Sequence, residues 1–307
     1  MKCLVTGGAG FIGSRLVDKL IKQGHRVTVI DNLSAGKKEN LNKKAKFYKI
    51  DIRNPKISQI FNKEKPEIVF HYAAQIDVGK SLENPVFDAK VNILGTLNLL
   101  ENCRKFKIKK IIFASSVGVY GEPEALPLKE NYPLNPISPY SITKLAIEKY
   151  LNYYRFQGLN FVCLRHSNVY GERQSSKGEG GVVAIFIDRI LKGEKPVIFG
   201  DGRQTRDFLY VDDAVDAAVL AIKASSDAIY NVGTNKEINI KELLGLISLK
   251  MNQKVKPNFL PWRQGEIIRS RVNYSKIKKD LGWQPKYSLE KGIKETIDWF
   301  KNKLVIN

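Results

Sequence analysis

Within its first thirteen residues the chain runs from a short apolar strand, Cys3-Leu4-Val5-Thr6, through a turn bearing Gly7, Gly8, Gly10 and Gly13, into a helix with an apolar stripe. This order constrains the fold more than any other feature of the sequence. Gly7 and Gly8 let the chain turn sharply out of the strand, Gly10 lets backbone approach a pyrophosphate, and Gly13 lets the helix lie against the strand. The helix N-terminus then offers free N–H groups and a partial positive charge to an anion. Two spacings coexist, Gly8-x-Gly10-x-x-Gly13 and Gly7-x-x-Gly10-x-x-Gly13. Neither is decisive alone, because glycine-rich turns also arise for steric reasons.

The following strand sharpens the reading. Arg26-Val27-Thr28-Val29-Ile30 is β-branched and ends in Asp31, where an acid would accept hydrogen bonds from an adenosine ribose. A carboxylate there repels a 2′-phosphate, so the expectation is NAD rather than NADP, with Asn32 sharing the ribose contact. Lys37 and Lys38 lie close enough in sequence to keep the alternative open.

Apolar strands alternate with helical patterns along the first half. Strands are expected at 2–6, 26–31, 45–50, 67–72, 110–115, 159–165 and 228–232, with helices near 11–23, 86–104 and 139–157. That rhythm implies an α/β protein: a Rossmann-type doubly wound parallel sheet covered on both faces. After residue 165 it breaks into polar, glycine-rich stretches. The expected division is a cofactor domain over 1–166, to which 205–232 return, and a smaller α/β substrate-binding lobe over most of 167–307. Asn239 followed by Glu242 marks a helix start.

At 307 residues with 43% hydrophobic content, the chain can bury a large core. The net charge of +20 raises the question of nucleic acid, but the lysines are scattered without interleaved aromatics or a reader motif. A solvated basic surface that steers an anionic nucleotide substrate is the expectation, with no nucleic-acid partner. No apolar run approaches a membrane span and no leader precedes the first strand, so no membrane partner is expected. Cys3, Cys103 and Cys163 fall in strands and a helix, which fits burial in a reducing cytoplasm. His25, His71 and His166 lack zinc spacing, and Asp212-Asp213 reads as a helix start.

The catalytic reading rests on Tyr140 and Lys144, which share a helix face just after Pro139. The spacing recurs in Tyr274/Lys278 and Tyr287/Lys291, so position separates the first pair: it follows the strand from Lys110 and the loop bearing Ser116. A tyrosine near its usual pKa of ~10 is a poor base at neutral pH. A lysine ammonium and a cationic nicotinamide would both favour the phenolate, and lowering its pKa by ~3 units takes ~4 kcal/mol. Ser116 would hydrogen-bond the oxygen that becomes a carbonyl.

Taken together, Thr6-Gly7-Gly8-Ala9-Gly10-Phe11-Ile12-Gly13, Asp31-Asn32, Asp51-Ile52, His71-Tyr72-Ala73-Ala74, Asn92 before Gly95-Thr96, Ser115-Ser116 before Val119-Tyr120-Gly121, and Tyr140 with Lys144 resemble the extended short-chain dehydrogenases. Further on, Arg165-His166-Ser167-Asn168-Val169-Tyr170-Gly171, Gly180-Gly181-Val182-Val183, Ile198-Phe199-Gly200-Asp201-Gly202, Thr205-Arg206-Asp207-Phe208 and Arg263-Gln264-Gly265-Glu266 are similar to the sugar-nucleotide branch, UDP-glucose 4-epimerases in particular. The resemblance implies that Gly7, Gly10, Phe11, Ile12, Gly13, Asp31, Asn32, Asp51, Ile52, Tyr72, Ala73, Ala74, Asn92, Tyr140, Lys144 and His166 hold NAD. It implies that Asn168, Arg206 and Arg263 hold a substrate diphosphate, with Glu266 at its ribose. Val197 and Phe199 would lie beside uracil, and Ser116, Tyr140, Val182, Val183 and Ser270 would complete the substrate site. Surface ion pairing of Arg206 and Arg263 with Asp207 or Glu266 is the plainer alternative. The family also implies a homodimer through the 86–104 and 139–157 helices.

Departures from the family narrow the reaction. Dehydrating members carry an acid pair after the active-site Ser or Thr, where this chain has Val117-Gly118, and the Glu of decarboxylating members is absent too. The expectation is epimerisation at C4 of a UDP-hexose: Tyr140 takes the 4-hydroxyl proton, hydride passes to NAD, and the 4-keto sugar turns over before hydride returns. Ser270, where some members place a bulky aromatic, suggests room for UDP-GlcNAc and UDP-GalNAc. Epimerisation of another nucleotide sugar such as UDP-glucuronate, or net reduction, stays open; a non-enzymatic NAD-binding regulator would need none of Ser116, Tyr140 and Lys144.

Overall fold

The computed structural model describes residues 1–177, 181–224, 227–263 and 266–306. Strand β1 (Lys2–Thr6) leads through the glycine turn into α1 (Phe11–Lys22), followed by β2 (Arg26–Asp31), β3 (Lys46–Lys49), α2 (Ile57–Glu64) and β4 (Ile68–His71). Next come α3 (Val78–Glu83), α4 (Pro85–Ala89), a π turn over Lys90–Leu94, α5 (Gly95–Lys105), β5 (Lys110–Ser116), α6 (Pro139–Arg155) and β6 (Asn160–His166). The remainder comprises β7 (Asn168–Tyr170), α7 (Val182–Leu191), β8 (Val197–Phe199), β9 (Thr205–Arg206), β10 (Phe208–Tyr210), α8 (Val211–Leu220) and β11 (Ala228–Val232). The chain then continues through β12 (Ile238–Asn239), α9 (Ile240–Met251), β13 (Asn258–Leu260), α10 (Ser275–Leu281) and α11 (Leu289–Ile306).

Seven strands form one parallel sheet in the order β11-β6-β5-β4-β1-β2-β3. The order reverses between β1 and β4, the switch point where open α/β sheets form a ligand crevice beyond the carboxyl ends of the strands. Register aligns those ends: Thr6 pairs with Ile30 and His71, and Ser116 pairs with His166. The period of two along each strand splits the core between the faces. Cys3, Val5, Phe70, Ile112 and Leu164 face α1 and α8, while Leu4, Val69, Ile111, Phe113 and Cys163 face α2, α5 and α6. Each aliphatic side chain so buried contributes about 1.5–3 kcal/mol.

Three differences from the sequence reading concern the fold. The helix expected over 86–104 is broken by the π turn. Of residues 205–232, only β11 enters the main sheet; α8 packs on α1, β9 pairs with β12, and β10 pairs with β7. The apolar cluster on the α1 face also continues unbroken through Val183 and Ile187 of α7, Leu243 of α9 and Ile293 of α11. The capping box expected at Asn239 is present: Glu242 N–H donates to Asn239 Oδ1 at 2.8 Å.

Candidate functional site

The glycine turn is closed on itself and on β4. Gly7 has φ +71°, and a Cβ there would sit 2.7 Å from the Ala73 nitrogen; one at Gly13 would sit 2.2 Å from the Gly7 carbonyl oxygen. Gly10 N–H donates to that same oxygen at 3.0 Å, and Gly10 begins α1 without a side-chain cap. The first turn of α1 therefore faces the crevice with its N–H groups available to an anion. Phe11 and Ile12 open this turn and pack partly buried on the core.

Asp31 sits at the end of β2 with both carboxylate oxygens on backbone N–H groups, Ala9 at 3.0 Å and Leu33 at 2.8 Å. It ties the glycine turn to the loop that follows. Asn32 does not reach out alone but donates to Asp51 Oδ2 at 2.7 Å. Asp51 is held down to about 2, chiefly by its hydrogen bond with Arg53. Ile52 is buried, its carbonyl accepting from Asn98 at 2.7 Å.

Beneath the crevice runs a chain of hydrogen bonds whose direction the chemistry fixes. Thr96 Oγ1 donates to the Asn92 carbonyl at 2.5 Å, so His71 Nε2, 2.8 Å from Thr96 Oγ1, must be the protonated nitrogen. His71 Nδ1 then accepts from Thr6 Oγ1 at 2.7 Å, and Thr6 in turn accepts from Ala73 N–H at 3.2 Å. Burial, assisted by Lys144, pushes the His71 pKa down to about 3 and keeps the ring neutral. The bond from Thr96 to Asn92 spans the π turn, where the i→i−4 ladder is interrupted. Asn92, expected to line the cofactor path, has a buried side chain that accepts from Gln75 N–H at 2.8 Å and donates to the Gln75 carbonyl at 3.0 Å.

The tyrosine–lysine pair lies at the other end of the crevice. Ser138 caps α6 by accepting from Ser141 N–H at 3.2 Å, and Pro139 occupies the first turn. Tyr140 and Lys144 are thereby turned toward the end of β5. Lys144 Nζ donates to the Ala114 carbonyl at 2.8 Å and lies 5.6 Å from the Tyr140 ring centroid. Ser116 lies close enough to the Tyr140 phenol to favour its ionised form, and its Oγ accepts from Gly118 N–H at 3.1 Å. Burial pushes Tyr140 up to about 12 and Lys144 down to about 8. The phenol thus moves opposite to the expected direction: the surrounding protein desolvates it, and the nearby Asp88 charge opposes its ionisation. The rival pairs serve packing instead, Tyr274 edge-on to Trp283 and Tyr287 against Tyr210.

Three buried polar atoms converge on this crevice without a protein partner: the Tyr72 hydroxyl and both ring nitrogens of His166. The two rings are 6.3 Å apart, and burial lowers His166 to about 3. Buried donors and acceptors left over in this way fit the polar amide of a nicotinamide. The glycine cradle, the uncapped helix terminus and the Asp31 carboxylate add the donor and acceptor types that a dinucleotide calls for.

The other expected substrate residues fall on β7, α7, β8, β9 and the segment after β13. Arg206 of β9 pairs with Glu266 at 3.0 Å, the plainer alternative considered above, but both side chains are largely buried and Glu266 Oε2 keeps no partner. Arg263 lies 3.8 Å above the Phe199 ring. Asn168 opens β7 and is partly exposed beside Asp207, whose carbonyl accepts its N–H at 2.9 Å. Val197 and Phe199 bound β8. Val183 is a correction, since its side chain lies wholly in the core; Val182, beside it in the first turn of α7, is half-buried. Ser270 is buried beside Arg271. Gly180, Gln264 and Gly265 lie outside the described residues. Asp88 and Thr143 escaped the sequence reading, and Thr6 and Thr96 entered it only as motif positions without a role, because buried polar residues carry no periodic signal.

Comparison with known proteins gives this geometry a family. Residues 3–233 match the model of the NAD dependent epimerase/dehydratase family. The UDP-glucose 4-epimerase of Mycolicibacterium smegmatis is 45% identical over 311 residues, 99% of each chain. The crystal structure of a UDP-glucose 4-epimerase with UDP-glucose from Thermotoga maritima superposes with a TM-score of 0.97 at 46% identity, covering 99% of this chain and 100% of that one. The Thermus thermophilus UDP-glucose 4-epimerase complex with NAD gives 0.93 at 42% identity, covering 98% and 99%. This chain therefore belongs to the NAD dependent epimerase/dehydratase family, and NAD is the cofactor its crevice is built to hold.

Proposed function

We propose that this chain epimerises a UDP-hexose at C4, interconverting UDP-glucose and UDP-galactose, with Tyr140, Lys144 and Ser116 as its catalytic residues. The observation that carries the reading is the Ser116–Tyr140–Lys144 cluster beside a crevice fitted to NAD. Bound NAD supplies reversible hydride acceptance. The chain's own groups move the proton: Tyr140 takes it from the sugar 4-hydroxyl and returns it. Gly118 N–H occupies one lone pair of Ser116 Oγ, leaving the Ser116 proton to donate to the oxygen at C4. Lys144, fixed by Ala114, places a positive charge against the tyrosine ring that favours the phenolate.

Dehydration is disfavoured by shape as well as by composition. A Cβ on Gly118 would sit 2.5 Å from Ser141 Oγ, so an acidic side chain there would have to turn the Ser141 hydroxyl away from Ser138. Arg206, Arg263 and Asn168 would anchor the diphosphate, and the unpartnered Glu266 Oε2 suits a ribose hydroxyl. Anchoring the nucleotide while the hexose swings would let hydride return to the other face. The small Ser270 supports acceptance of 2-acetamido sugars. The apolar face formed by Val86, Phe87, Leu94, Ile142 and Tyr153, all exposed on α4, the π turn and α6, supports a homodimer. Three buried free cysteines accord with a cytoplasmic setting.

Incubation with UDP-galactose without added reductant, followed by chromatography of the nucleotide sugars, tests the reading. UDP-glucose should appear, at a rate lowered at least ~100-fold in Tyr140→Phe, the scale of a lost general base. Turnover that requires added NADH or NADPH would instead identify a reductase, and conversion confined to UDP-glucuronate would move the substrate. In the same assay Ser270→Tyr should depress UDP-GalNAc turnover relative to UDP-galactose; an unchanged ratio ends the acetamido reading.

A further inference from the structure

We propose that Asp88 is a positioning residue for the Tyr140–Lys144 pair, a buried carboxylate that is joined to the catalytic helix through Thr143 and acts on both side chains from behind that helix. The inference rests on the catalytic reading of Tyr140 and Lys144 above.

Asp88 stands on α4 with no solvent exposure. Its Oδ1 accepts from Gln75 Nε2 at 2.8 Å and from Asn92 Nδ2 at 3.1 Å. Its Oδ2 lies 3.0 Å from Thr143 Oγ1, and Thr143 Oγ1 is also 2.8 Å from the Tyr140 carbonyl. Thr143 thus stands between the two catalytic side chains in sequence and links their helix to Asp88. All three partners of the carboxylate are neutral. A charge taken out of water among neutral donors needs a counter-charge at longer range. Lys144 is that cation: the field of Asp88 favours its ammonium form, and the same field disfavours the Tyr140 phenolate.

The other ionisable groups around the pair are balanced or neutral. Glu148, one turn beyond Lys144, is paired with Arg165 of β6 at 2.7 Å and accepts from Ser115 of β5 at 2.6 Å. Cys163 of β6 stays a thiol because burial raises its pKa far above the usual range, and His71 of β4 and His166 of β6 stay uncharged. Tyr120, in the turn after β5, bonds Asn231 and Arg165. Asp77, at the start of α3, lies 3.8 Å from Lys80. Asp88 holds the charge in this group without an ion-paired partner among the described residues.

Asp88→Asn tests the inference with little change of shape. The new amide nitrogen faces Thr143 Oγ1, which can accept its bond and donate to the Tyr140 carbonyl, while Oδ1 keeps Gln75 and Asn92. Both limbs of the kcat–pH profile should move to lower pH by about one unit, near tenfold in rate at fixed pH on a limb, with the maximum retained. In lysine labelled with 13C at Cε, the Lys144 resonance, assigned by its loss in Lys144→Met, should shift its titration midpoint from about 8 in the same direction. A lowered maximum with unmoved limbs and an unmoved Lys144 midpoint would reduce Asp88 to a structural role and overturn the inference. Thr143→Val, which leaves the charge in place, should lower kcat with KM and both limbs unmoved; an unchanged kcat also overturns it. The lysine titration needs no turnover, so absence of epimerase activity in the wild type would defeat the proposed reaction and still leave this result readable.

Discussion

Gly13 and Gly245 are both helical glycines, yet their surroundings give them opposite expectations. A methyl on Gly13 would enter the Gly7 carbonyl at 2.2 Å, whereas one on Gly245 in α9 meets nothing within 4 Å. Gly13→Ala should destabilise the protein by about 1–3 kcal/mol through overpacking. Because the displaced carbonyl braces the phosphate turn, the extra stability conferred by saturating NAD should shrink as well. Gly245→Ala should stabilise by up to about 1 kcal/mol through helix propensity alone. Urea unfolding of the two variants with and without NAD checks both; equal responses would mean that the glycine turn is not a close-packed cradle. Lys144 shows the same dependence on surroundings, since its spacing from Tyr140 is shared by two other pairs and only burial and the Ala114 carbonyl distinguish it.

The succession α4, π turn, α5 illustrates why element boundaries were harder to read than element existence. The apolar spacing from Val86 to Leu100 is helical throughout, so periodicity could not reveal an interruption. It is set by Asn92, whose side chain reaches across to Gln75 and whose carbonyl takes the Thr96 hydroxyl. These are contacts with neighbouring elements and carry no local pattern. The same elements expose the apolar face of the proposed dimer, with Val86 62% and Tyr153 57% exposed. Sedimentation should therefore give twice the chain mass for the wild type, and a monomer for a Val86→Asp/Tyr153→Glu variant that still binds NAD. A wild-type monomer at micromolar concentration would remove the dimer.

Acid sensitivity belongs to the molecule as a whole. His71 and His166 are held near 3 when folded and return toward the ordinary histidine range, ~6.5, on unfolding. Their contribution is complete above the unfolded value and is lost as pH falls below it, by about 2 kcal/mol each at pH 5. Asp207 has the opposite sign: burial raises it to about 6, so its protonation favours the folded state at pH 5 and offsets about 1 kcal/mol. Stability should thus fall by a net ~2–3 kcal/mol between pH 7 and pH 5, measured by urea titration, and His71→Asn should remove about half of the fall due to the histidines. A flat profile would show that the histidines are not held neutral. By itself the sequence determined the alternation of strand and helix, the glycine turn, the acid that closes β2, and a Tyr-x-x-x-Lys pair after a serine loop. These are local patterns, in which backbone geometry and residue type act over a few positions. Only the tertiary structure decided which tyrosine–lysine pair faces the crevice, which nitrogen of His71 carries the proton, that Val183 is core, and that Asp88 stands behind the catalytic helix. Parallel strands in register bring residues tens of positions apart to one sheet edge, and burial there sets their charge.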